Sequence, residues 1–100
     1  MQVTFHRLAL SEYRRAIGRY RARDVAVARR FVTAVEDGVD LIGQNPGVGS
    51  PCFGHYRWLR VKKFKYVLYY RELSDSLVLI YAVAHAHRRP GYWLRRTRRP

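Results

Sequence analysis

The sequence is short of cysteine, of acidic residues and of long apolar runs, and each shortage excludes something. Cys52 is the only cysteine in 100 residues, so neither an internal disulfide nor a cysteine-built zinc cluster can form. A lone thiol suits a reducing compartment, and the expected location is the cytoplasm. The longest purely apolar run, Leu77–Ala84, spans eight residues, against about 20 for a membrane-spanning helix. No charged, apolar and small-residue succession opens the chain, so neither a signal peptide nor a membrane partner is expected. Of the seven acids, Glu36, Asp37 and Asp40 fall together on the outer face of a predicted helix. Solvation, or pairing with nearby arginines, is their expected role. P-loop, Rossmann and HExxH patterns are missing, and Gly47-Val48-Gly49-Ser50 follows a helix rather than a strand, which rules it out as a phosphate cradle.

What remains is basic and aromatic. Twenty Lys+Arg against seven Asp+Glu leave a net charge of +13, and seventeen of the twenty are arginines. The planar guanidinium fork suits phosphate and carboxylate, so an anionic partner is implied, either nucleic acid or an acidic protein segment. With 48% apolar and 14% aromatic residues, the chain can fill one modest core, which argues against both disorder and a second domain. Residues 1–94 are expected to form that domain, and the Arg95, Arg96, Arg98 and Arg99 stretch (95–100) to form a basic, mobile tail.

The hydrophobic period changes along the chain. Val3 and Phe5 alternate with Gln2 and Thr4, predicting a short strand. Ala9, Tyr13, Ala16, Ile17 and Tyr20 then recur at helical spacing over Leu8–Arg23, where Ser11 is the best nearby N-cap. Asp24 can cap a second helix with the stripe Ala28, Phe31, Val32, Val35, Val39 and Ile42, stopped by Asn45-Pro46-Gly47. A turn-rich loop to Gly54 follows. The period then drops to two: Tyr56–Lys63 and Tyr66–Glu72 read as strands joined through Lys63-Phe64-Lys65, and Ser74-Asp75-Ser76 turns into a third, Leu77–His85. That last run is apolar on both faces, so it belongs at the centre of the sheet. The order β-α-α-β-β-β predicts an α+β fold, an antiparallel sheet with an N-terminal helical hairpin packed on one face.

Charge is uneven. Residues 55–71 carry six basic side chains and no acid, and there Arg57, Arg60, Lys62, Lys63, Lys65 and Arg71 interleave with Tyr56, Trp58, Phe64, Tyr66 and Tyr70. Cations that neutralise phosphates beside rings that stack on bases make a binding surface; the plainer alternative is core rings with a solvated sheet edge. His85 and His87 share a face at the end of the last strand. No carboxylate or thiolate lies near them in sequence, so no metal or other cofactor is expected. An imidazole beside cations can serve metal-free RNA cleavage, or simply bond to backbone. Arg88-Arg89-Pro90-Gly91-Tyr92-Trp93 sets a turn that places two rings beside two arginines.

Three strings carry a family resemblance: Val3-Thr4-Phe5-His6 with Ala9; Leu59-Arg60-Val61 leading to Val67-Leu68-Tyr69-Tyr70-Arg71; and Ala82-Val83-Ala84-His85 followed by Arg88–Trp93. Over residues 2–93 the chain resembles the RelE/ParE superfamily of type II toxin–antitoxin toxins. The resemblance implies a small toxin neutralised by a cognate antitoxin with an acidic wrapping segment. RelE-like members cut mRNA on the ribosome without metal, whereas ParE-like members poison DNA gyrase. Carried over residue by residue, the strand cation of the cutting set matches Arg60, and Tyr92 fills its tyrosine position. Val67 stands where an arginine is expected, and Ala86 where a second one is, with Arg88 two residues on. The end of the last strand looks like the ParE side. The expected function is therefore growth inhibition by binding a target such as DNA gyrase, with enzymatic activity left open. The alternative is a ribosome-dependent endoribonuclease using Arg60, Lys62, Lys65, Arg71, His85, His87 and Tyr92. A non-toxic RNA-binding module is the third reading. The expected target or antitoxin surface comprises Arg57, Trp58, Arg60, Lys62, Lys63, Lys65, Arg71, His85, Arg88, Arg89, Tyr92 and Trp93.

Overall fold

Gln2–Phe5 forms strand β1, and the next residue starts the first helix. In the computed structural model, which describes residues 1–98, the side chain of His6 supplies the N-cap. Its Nδ1 accepts from the Leu8 amide at 3.1 Å, so helix α1 runs Arg7–Arg23 and does not wait for Ser11. Asp24 alone makes the joint to α2 (Val25–Gln44). Its amide donates to the Tyr20 carbonyl at 2.9 Å, while its carboxylate accepts from the Ala26 amide at 2.8 Å. One residue thus closes one helix and caps the next.

A 3-10 turn at Pro46–Val48 leads into strands β2 (Ser50–Cys52), β3 (Tyr56–Arg60), β4 (Tyr66–Ser74) and β5 (Leu77–His85). The α+β class and the helical hairpin match expectation. The sheet order is β1-β5-β4-β3-β2, and β1 runs parallel to β5, so the sheet is mixed rather than wholly antiparallel. Alternation in a four-residue strand marks its buried face but carries no information about its partner's direction. The short edge strand β2, inside the expected loop, pairs antiparallel with β3.

The hairpin covers one face of the sheet. Ala9, Ala16, Phe31, Val35 and Ile42 pack against Leu68, Tyr70, Val78, Ile80 and Val83, all buried. Phe31 sits in an aromatic cluster, its ring centre 4.9 Å from Tyr20 and 5.2 Å from both Phe64 and Tyr66. Helix α2 comes close to the sheet at Gly38, where a Cβ would lie 3.3 Å from a Leu68 methyl.

The opposite face is covered too, by residues expected on the surface or in a mobile tail. A second 3-10 helix, Tyr92–Arg98, lays Trp93 over Tyr69 (4.9 Å between ring centres) and Tyr56 (5.0 Å). Trp93 is fully buried, so it is a core residue and not a presented ring. A bulge in β5 makes this second core possible. Tyr69 pairs with Ala82 and Tyr70 with Ile80, leaving Tyr81 as the extra residue. Across the bulge the alternation slips by one: Ile80 and Val83 face the helices, while Tyr81 and Ala82 face Trp93. Arg99 and Pro100 lie outside the described residues.

Tyr70 ties the irregular loop to the sheet. Its hydroxyl accepts from the buried Gly49 amide at 2.9 Å and donates to the Pro46 carbonyl at 2.6 Å. A Cβ on residue 49 would meet that hydroxyl at 2.7 Å. Tyr70→Phe keeps the ring but strands both backbone groups, so stability should fall by about 1–3 kcal/mol. Urea or thermal unfolding of the purified protein reads this directly; an unchanged midpoint contradicts the anchoring role.

Candidate functional site

Two surface concavities gather the chemistry, on different sides of the helical hairpin. The first is a groove of about 630 Å³ between α2 and the β3–β4 hairpin. Ala34, Gly38, Leu41, Leu59 and Phe64 supply its apolar floor, and Arg29, Arg30, Arg60, Lys62 and Lys63 its rim, with Asp37 the single acid. Leu41 stays 47% exposed, which leaves part of the floor uncovered. Lys63 holds the hairpin tip in the left-handed region at φ 69°, so two lysines stand together at the mouth. Greasy floor and cationic rim suit an amphipathic segment with acidic flanks.

The second lies between α1 and the ends of β4 and β5, over a buried carboxylate. Glu12 is only 8% exposed and receives four donors. The Val83 amide reaches Oε1 at 3.0 Å, the Tyr92 hydroxyl reaches Oε2 at 2.6 Å, and the two Arg96 nitrogens reach Oε1 and Oε2 at 2.8 and 2.9 Å. Arg96 also donates to the Tyr81 carbonyl at 2.9 Å. It is the only ion pair among the described residues, and it anchors part of the expected mobile tail. Burial alone would push the Glu12 carboxyl up. The hydrogen bonds from Arg96 and Tyr92, the Arg96 charge and the Val83 amide together outweigh burial and hold it below the usual carboxylate value. Tyr92 is pushed far up, first by burial and then by its bond to that carboxylate. Arg88 lies 3.8 Å over the Tyr92 ring centre.

A family model described as "ParE toxin of type II toxin-antitoxin system, parDE" matches residues 3–90. The chain belongs to the ParE toxin family. It is thus the toxin of a type II toxin–antitoxin pair, and an antitoxin is its partner. A search of curated proteins returns no match. No helix among the described residues is long and apolar enough to cross a membrane.

In this ParE-family toxin the sequence-predicted residues do not form one surface. Arg60, Lys62 and Lys63 line the α2 groove, whereas His85, Arg88 and Tyr92 line the α1 cleft. Arg57 is spent on structure, donating to the Gly49 carbonyl at 2.8 Å. Arg71 sits 5.5 Å over the Tyr56 ring, in a third, polar depression with His55 and Glu72. Trp58, Lys65, His87 and Arg89 are exposed. His87 stacks on His85 at 5.1 Å, and its amide donates to His85 Nδ1 at 3.1 Å, so the backbone-bonded reading of that imidazole holds. Among the described residues no three His, Cys, Asp or Glu can hold a metal. Burial pushes the Cys52 thiol up, which makes it a poor nucleophile.

Sequence reasoning missed Glu12, Arg29, Arg30 and Arg96. Glu12 left a signal: it stands three residues after Ala9 and four before Ala16, on the buried stripe of α1, where an unpaired acid would be costly. The lowered Glu12 value fixes the sign of its pH effect. A carboxyl whose folded pKa lies below its unfolded value contributes stability above about pH 4.5, and loses it as pH falls through the folded value. Unfolding measured across pH should therefore show wild type weakening from about pH 4.5 downward. Glu12→Gln should be less stable at pH 7 by on the order of 3 kcal/mol and flatter across the acid window. Parallel curves for the two proteins contradict the clamp.

Proposed function

We propose that this toxin inhibits growth by binding a protein target inside the cytoplasm, with DNA gyrase the expected target. Its antitoxin silences it by laying an acidic, amphipathic segment into the α2 groove. The observation that carries the first half is the state of Tyr92. The cutting chemistry that the family resemblance implies needs a tyrosine free to exchange a proton at the phosphate, with the matching strand cation beside it. Here the only tyrosine in the matching position spends its hydroxyl proton on buried Glu12 at 2.6 Å. The matching strand cation, Arg60, lines a different concavity from Tyr92 and His85. Val67 supplies no charge where the cutting set has an arginine. Losing such groups costs several kcal/mol of transition-state stabilisation, so binding is the reading the geometry favours.

The second half rests on complementarity. The groove's apolar floor gives an amphipathic segment a surface to bury, and its five rim cations against one acid select for negative flanks. Purified toxin should block gyrase supercoiling of relaxed plasmid and leave ribosome-bound mRNA intact in primer extension. Discrete cuts at ribosome-occupied codons would overturn the binding reading. Lys62→Glu with Lys63→Glu should weaken the antitoxin complex at least tenfold by calorimetry while thermal stability stays near wild type, since both side chains are exposed; undiminished affinity would move the antitoxin elsewhere.

A further inference from the structure

The α1 cleft is strongly cationic, and nothing in the proposed mechanism uses it. Arg15, Arg19 and Arg23 recur every four residues on exposed positions of α1, which strings their attachment points about 6 Å apart along one ridge. Beneath that ridge an opening of about 510 Å³ is lined by Arg19, Arg23, Tyr66 and His85. It continues into a smaller one of about 100 Å³ that adds Arg15 and Arg88. The single acid there, Glu12, is already saturated by Arg96, Tyr92 and the Val83 amide, so these arginines have no counter-charge within the described residues.

The walls are set for an anion in other respects. Arg19 Nη2 donates to the Tyr66 hydroxyl at 2.7 Å, which holds its guanidinium at the mouth with further donors unused. His85 accepts at Nδ1 from the His87 amide, which puts the neutral ring's proton on Nε2, a donor. Burial first, then the positive surroundings of His87, Arg19 and Lys65, hold His85 below its usual value. Tyr20 and Tyr66 add ring surface beside the cations.

From this arrangement we infer that the α1 ridge, with Arg88 and His85 at its end, is a strip that binds the phosphate backbone of a nucleic acid. The four-residue spacing of the arginines is comparable to that of successive phosphates along a strand, and the fork of Arg suits phosphate oxygens. A nucleic-acid strand carries its charges on a regularly spaced backbone, which matches so regular a row. The cleft shares no lining residue with the α2 groove, so this strip and the antitoxin site can be occupied together. The inference stands independently of gyrase being the target.

The test is fluorescence anisotropy of the full chain with a short labelled DNA duplex of mixed sequence, titrated over a range of salt. Arg15→Gln, Arg19→Gln and Arg23→Gln together are compared with Arg14→Gln, Arg21→Gln and Arg29→Gln, which remove the same charge from other faces. The row variant should bind the duplex at least tenfold more weakly than the control. Its log affinity against log salt should flatten by about 2–3. Equal loss in both variants overturns the inference, because bulk charge then suffices. Loss of binding to labelled polyglutamate with duplex binding intact also overturns it, and assigns the cleft to an acidic protein segment. Should the triple variant melt early, Arg15→Gln and Arg23→Gln singly, both exposed, should each flatten the slope by about 1, and no change in either counts against the strip.

Discussion

Strand β5 has no face that water tolerates, and the architecture follows from hiding both. From Val78 to Ala84 every residue is buried, although the strand lies one place from the edge of the sheet. The helical hairpin takes one face, bringing α2 so close that a Cβ at position 38 would lie 3.3 Å from a Leu68 methyl. The other face is left to the residues that follow the strand, which fold back as a 3-10 helix and bury Trp93 among four aromatic rings. The bulge at Tyr81 reconciles the two layers by changing which side the alternation favours midway along the strand.

That return segment is held by the burial of Trp93 and by charge. Arg96 reaches across the end of the sheet to Glu12, with the Tyr92 hydroxyl on the same carboxylate. This uses the one acid among the described residues that sits in an ion pair, and the basic surplus is left at the surface. The surplus then divides by geometry: one part rims an apolar groove on α2, another lines a cationic cleft on α1. The proposed antitoxin groove and the proposed phosphate strip thus stand on different elements.

The parts of this fold legible in the sequence were those with local causes. Helical spacing from Ala9 to Ile42 and the turn residues Asn45-Pro46 and Ser74-Asp75-Ser76 mark elements by short-range chemistry, and the elements stand where that chemistry puts them. The relations between distant segments were not legible. A four-residue strand does not say that it will lie parallel to one that begins 72 positions after its own last residue. A histidine cap competes poorly with Ser11 on propensity, yet it forms because β1 delivers His6 to the right place. The site followed the same rule. The cations were visible, but their division between two concavities depends on α2, whose Arg29 and Arg30 look from sequence like solvated helix surface. Trp93 reads as binding surface because the Pro90-Gly91 turn says nothing of the aromatic face it folds back on, and Arg96 reads as tail until its one buried partner is known.

The clamp also has a bearing on timing. Glu12 and Arg96 are 84 residues apart, and β1 has no neighbour until β5 exists. While the chain is being made, the first strand and helix wait for β5 and Arg96 to leave the ribosome. The order of synthesis therefore puts closure of the toxin after β5 and Arg96 have both been made. During that interval the helical hairpin waits without the strands that will bury its apolar stripe, since Leu68, Tyr70, Val78, Ile80 and Val83 all come later in the chain.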